Sequence, residues 1–224
     1  MTTKVLSMDP RRRIAAALGA LMVTLCLGIG AARADTAAAD AADFLRQFGD
    51  RTAKVLADNA LSAAQRESEL RKLLVANFDV ARIGRFVLGR YWRKASDPQR
   101  AEFGRLFEAY IVANYGQRLE SYSGERLEVG VARSYDAKRV VVSSRIVRPK
   151  GPPVQAEWRL RRAANGWRIV DVVVEGVSLA ITQRSEFGAV IQANGGRIEA
   201  LLAKLREQAM TARARAAGKV ASSN

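Results

Sequence analysis

The sequence predicts an α+β fold: one domain in which a twisted antiparallel sheet of about four strands packs against several helices. Three observations lead there. Apolar residues recur at spacings of three and four through residues 36 to 121. The period then drops to two between Leu127 and Val174, with short turn signals between the runs. After Gly176 the helical spacing returns. Helices, then consecutive hairpin-connected strands, then helices again is the order of segregated α+β layers.

Phe44, Phe48, Val55 and Leu56 share one face of a first helix. Ser62 with Gln65 is a capping-box pair opening a second helix that carries Leu70, Leu73 and Leu74. Val80 to Leu88 forms a short third helix. Ser96 with Gln99, and Pro98 in the first turn, start the longest one. Its stripe is Phe103, Leu106, Phe107, Tyr110, Ile111, Tyr115 and Leu119. Leu127, Val129 and Val131 alternate with polar neighbours, and Val140 to Val147 is a β-branched run. Val154, Ala156, Trp158 and Leu160 alternate with Gln155, Glu157, Arg159 and Arg161, as in a strand with one wet face. Trp167 to Val174 is the most apolar strand. A helix follows until Asn194-Gly195-Gly196, and Ile198, Leu201, Leu202 and Leu205 stripe the last one. Residues 211–224, rich in Ala, Arg and Ser without an apolar stripe, are expected to be a disordered basic tail.

Residues 1–34 have the layout of a secretory signal peptide. Arg11, Arg12 and Arg13 precede an uncharged apolar run, and Ala32-Arg33-Ala34 is a small-x-small cleavage pattern. The pattern favours cleavage after Ala34, leaving a domain over 35–210; the run borders on membrane-spanning length, so a retained anchor is the alternative. Leu25 before Cys26, the only cysteine, is too large for a lipoprotein signal.

Composition excludes whole classes of chemistry. The chain has no histidine, so Ser-His-Asp and Cys-His catalysis and the usual zinc sites are ruled out. No phosphate-binding or dinucleotide glycine motif occurs, and no cofactor is expected. The net charge of +15 comes from arginines scattered among Asp and Glu along every element. That distribution suits an anionic membrane surface and argues against nucleic acid as a partner. Asp171 and Glu175 would lie about 13 Å apart along a strand. Glycosidase carboxylates need about 5 to 9.5 Å. Structural roles are expected, bonded to turn amides or to an arginine. Ser178 is expected to cap the helix that follows it.

What remains is aromatic and aliphatic: periodicity does not tell a filled core from a hollow one. Residues 165 to 196 resolve this by resemblance. The Trp167-Arg168-Ile169-Val170-Asp171 strand, Glu175-Gly176-Val177-Ser178-Leu179, Gln183-Arg184-Ser185-Glu186-Phe187 and Gly195-Gly196 resemble the MlaC-type toluene-tolerance family of periplasmic lipid-binding proteins. The segment from Phe78-Asp79 to Trp92 and the helix from Phe103 to Tyr122 are similar too. The runs Arg85 to Trp92 and Thr182-Gln183-Arg184 look closest to HpnM, a branch associated with hopanoid loci.

The resemblance implies a non-enzymatic carrier in the periplasm. Lipid tails, of a phospholipid or a hopanoid, would occupy a cavity between sheet and helices. The carrier would move between an outer-membrane lipid complex and an inner-membrane ABC transporter complex, with transient membrane contact. The alternative is an adaptor with a filled core. On the carrier reading Phe86, Leu88, Tyr110, Tyr115, Val142, Trp158, Val174, Val177 and Leu179 are expected to border the tails. Arginines and lysines near the mouth are expected to favour anionic headgroups.

Overall fold

The computed structural model describes residues 36–119 and 122–222; the expected signal peptide, its cleavage site and Cys26 lie outside them. Helix α1 covers residues 36–57. It is followed by α2 (Ala63–Asn77), α3 (Val80–Leu88), α4 (Arg90–Lys94) and α5 (Asp97–Leu119). Strands β1 (Arg126–Asp136), β2 (Arg139–Val147), β3 (Val154–Ala163), β4 (Gly166–Val174) and β5 (Val177–Ser178) come next. Helices α6 (Leu179–Ala193) and α7 (Ile198–Ser222) complete the order.

Both expected capping boxes form. Gln65 N donates to Ser62 Oγ and Ser62 N donates to Gln65 Oε1, at 3.3 and 2.9 Å. Ser96 and Gln99 repeat the exchange at the start of α5. One helix departs from expectation. The chain beyond Thr211 continues as α7 to Ser222 rather than as a disordered tail. Its Ala, Arg and Lys are strong helix formers, and that propensity outweighs the missing apolar stripe.

The five strands pair antiparallel in sequence order, a meander as predicted, with β5 as a two-residue addition. The β4–β5 turn places Glu175 and Gly176 at φ 47° and 80°. Positive φ at both central positions is the backbone of a two-residue hairpin matched to strand twist. Glu175 is held there by Gln155, whose backbone N donates to Glu175 Oε1 at 2.6 Å and whose carbonyl accepts from Glu175 N at 3.0 Å.

A bulge in β4 matters most. Trp158 pairs with Val172 and Leu160 with Ile169, so three residues of β3 oppose four of β4. In a regular strand Ile169 and Val172 would face opposite sides. The extra residue, Val170, lets both face the helices.

Two cores result. Ala41 and Leu45 of α1 pack on Val140, Val142, Trp158, Leu160, Trp167 and Ile169 of the sheet. Leu88, Phe103, Phe107, Phe187, Ile191, Leu201, Leu202 and Leu205 form the second, among α3, α5, α6 and α7. Phe103 and Phe107 stack at 5.4 Å, and Phe187 meets each edge-on at 6.1 Å. The junction of α2 and α3 is tied to the sheet where Asp79 N donates to the Ile169 carbonyl at 2.9 Å.

Candidate functional site: an apolar cavity between the two cores

The cores do not meet everywhere. Between them lies a cavity of about 350 Å³, at the small end of the roughly 300–1,000 Å³ typical of ligand pockets. Phe48 of α1 and Leu70, Leu73 and Leu74 of α2 wall one side. Ile83, Val87, Phe107 and Ile111 of α3 and α5 wall another, and Ile146, Trp158, Val170 and Val172 form the sheet floor. The leucines of α2 make up that helix's apolar stripe yet are only half-buried, because they face space rather than packed atoms; Asn77 is the one fully buried residue of α2.

Most polar side chains in the wall are hydrogen-bonded, to one another or to residues behind it. Tyr110 Oη donates to Gln183 Oε1 at 2.9 Å. Thr52 Oγ1 donates to the Phe48 carbonyl at 2.8 Å. Trp158 Nε1 donates to Ser144 Oγ at 2.8 Å. Asp171, nearly buried, accepts from Arg159 Nη1 at 2.9 Å, Ser178 Oγ at 2.7 Å and Ala180 N at 3.1 Å. Those bonds satisfy its charge, so the carboxylate is structural, as expected. Ser178 caps α6 by accepting from Ile181 N at 3.1 Å. A hydroxyl so engaged, beside a carboxylate already committed to an arginine, has no base to activate it.

The charged side chains lining the cavity, among the described residues, are the carboxylates Glu67 and Asp171. No arginine or lysine is among the described lining residues, and Glu67 is exposed on α2.

Of the nine residues expected around tails, the structure brings Tyr110, Tyr115, Trp158 and Leu179 to the cavity wall. Leu88 and Val142 lie in the filled cores instead. Val174 is half-buried at the end of β4, away from the wall. Phe86 and Val177 are 42% and 56% exposed on the outside. The reason is angular. In α3 the cavity takes Ile83 and Val87, four apart, and Phe86 falls at the exposed flank of that face. In β5, at the edge of the sheet, Ser178 is buried and Val177 is exposed. The stripe Leu70, Leu73 and Leu74 was visible in the sequence as helix spacing and was the signal for the missed wall.

An α+β domain with a satisfied, apolar hollow between sheet and helices is a binding fold for an apolar ligand. The family model of the MlaC protein matches residues 46–207, and the chain belongs to that family. It is 26% identical over 110 residues to the toluene tolerance protein ttg2D of Pseudomonas putida, covering 49% of this chain and 51% of that one. It is 25% identical over 130 residues to the intermembrane phospholipid transport system binding protein MlaC of Haemophilus influenzae, covering 56% and 60%. The matched region thus spans little more than half the length of these relatives. A phospholipid-binding protein from Ralstonia solanacearum, solved in complex with a phospholipid, shares the fold. The TM-score is 0.70 at 22% identity, over 78% of this chain and 99% of that one. Among the described residues no helix is long and apolar enough to cross a membrane.

Proposed function

We propose that this protein is a periplasmic carrier that holds phospholipid tails in the cavity between its sheet and helices. The observation that carries the reading is the apolar cavity whose wall polar groups, apart from the exposed Glu67, are already paired, in a family whose Haemophilus relative is named for phospholipid transport. The hollow argues against an adaptor with a filled core. Energetics give the purpose. Two acyl chains of about 15 methylenes each cost on the order of 24 kcal/mol to expose, at roughly 0.8 kcal/mol per methylene. A wall as apolar as the bilayer removes most of that cost without catalysis.

On this reading the carrier delivers between an inner-membrane ABC transporter complex and an outer-membrane lipid complex. Export follows from the leader pattern of residues 1–34. A hopanoid is the second candidate cargo, supported by the likeness of Arg85 to Trp92 to the HpnM branch. The experiment is lipid extraction and mass spectrometry on protein purified from an exporting host. One phospholipid per protein, on a chain whose intact mass begins at Asp35, is the expected result. A delipidated preparation that takes up no phospholipid from vesicles would refute the carrier reading, and a bound polycyclic lipid would replace the cargo.

A further inference from the structure

Two large apolar side chains stand on the outside. Phe86 on α3 is 42% exposed and Ile181 on α6 is 52% exposed. Arg184 joins them, lying one turn from Ile181 with its guanidinium 5.2 Å from the Phe86 ring. Its seat is built by Gly89. At φ +56° this glycine ends α3, and a Cβ there would come within 3.0 Å of Arg184 Nε. A larger residue would displace the arginine.

Charge surrounds the pair. Residues 80–96 contain five basic side chains and no acidic one. Arg82, Arg85, Arg90, Arg93 and Lys94 are all exposed. Adjoining faces of the same two helices wall the cavity, through Ile83 and Val87 of α3 and Leu179, Ala180 and Gln183 of α6. An exposed aromatic and an aliphatic beside a run of basic side chains, with Glu186 of α6 the exposed acid near Arg184, match the interfacial helix pattern, apolar groups entering the acyl boundary and cations meeting lipid phosphates.

We propose that this outer face of α3 and α6, with Phe86, Ile181, Arg85 and Arg184 at its centre, docks on an anionic bilayer surface. Docking there sets the cavity wall against the membrane that supplies or receives cargo. That purpose rests on the carrier reading, whereas the docking itself is measured without it.

The test is flotation of the full mature protein with phosphatidylcholine vesicles, with and without phosphatidylglycerol. Each basic residue at such a surface is worth about fivefold in partitioning. R85Q/R184Q should bind phosphatidylglycerol vesicles about 25-fold more weakly. F86S should lose about tenfold. A control of equal charge change on the edge strand, R126Q/R133Q, should stay within about twofold. Lipid content of each variant is measured alongside, and thermal melts show that each is folded.

Wild-type protein that ignores anionic vesicles would overturn the proposal. So would a control that loses as much as R85Q/R184Q, or an F86S variant that binds unchanged. Variants that keep vesicle binding but fail to deliver lipid to a membrane protein complex would assign the face to a protein instead. Vesicle binding with an empty cavity would sink the carrier reading and leave the docking face standing.

Discussion

Leu73→Asp tests the cavity most directly. Leu73 is half-buried on α2 and lines the hollow without belonging to either filled core. The substitution should therefore spare the fold while altering the wall. In the loaded protein it removes about 1.5–3 kcal/mol of apolar contact. It also sets an unpaired carboxylate against the ligand, at a cost of several kcal/mol. Neighbouring polar groups give no relief, since Tyr110, Gln183 and Asp171 are already engaged. The sum exceeds about 4 kcal/mol, a loss of roughly a thousandfold in affinity. In the empty protein the carboxylate meets water, so the melting temperature of delipidated samples should change by only a few degrees. The assay is lipid per protein by mass spectrometry, with Val177→Asp as the comparison, because Val177 is exposed and away from the wall. A folded Leu73→Asp variant that keeps its full lipid load would refute the cavity as the binding site.

Ser178→Ala should cost about 2–3 kcal/mol in denaturant unfolding, because it loses both a helix cap and a hydrogen bond to the buried Asp171 carboxylate; lipid binding should persist. Loss of binding at unchanged stability would contradict the capping role. Glu102 accepts two bonds from Arg206, at 2.6 and 3.0 Å, linking α5 to α7. Chiefly through those bonds, and with Coulombic help from Arg206 and Arg105, its carboxyl is held below its ordinary value of 4.5 despite some desolvation. The contribution to stability is present above pH 4.5 and fades as pH falls through the lowered value. Carboxyl NMR should show that depression in the wild type and its disappearance in Arg206→Gln. An unchanged Glu102 titration in the variant would reject this pair as the cause.

The order of elements, both capping boxes and the alternation of β3 were legible because each depends on local spacing. Phe103 and Phe107 read correctly as one helix face, and Trp158 as an inward strand residue. The errors have a different source. Val142 and Leu88 are apolar and inward, yet whether an inward residue meets atoms or space depends on how far apart two layers stand, which no single periodicity encodes. The β4 bulge adds a residue at Val170 that no alternation pattern announces, and it brings Val170 and Val172 to the floor. Phe86 followed hydrophobicity where the helix angle set by Ile83 and Val87 should have decided. The α7 extension shows the reverse case, intrinsic preference carrying a helix where no burial was foreseen.

The half-buried leucines of α2 have a thermodynamic consequence. On the carrier reading, the atoms missing beneath that helix are those of the guest. An apolar guest is then a detachable part of the core, and occupancy and folding become linked equilibria. A guest at 100 times its dissociation constant adds about 2.7 kcal/mol of stability. Unloading withdraws the same amount, so an acceptor that removes the guest must supply it, and a vacant chain is the form most exposed to proteolysis along α2.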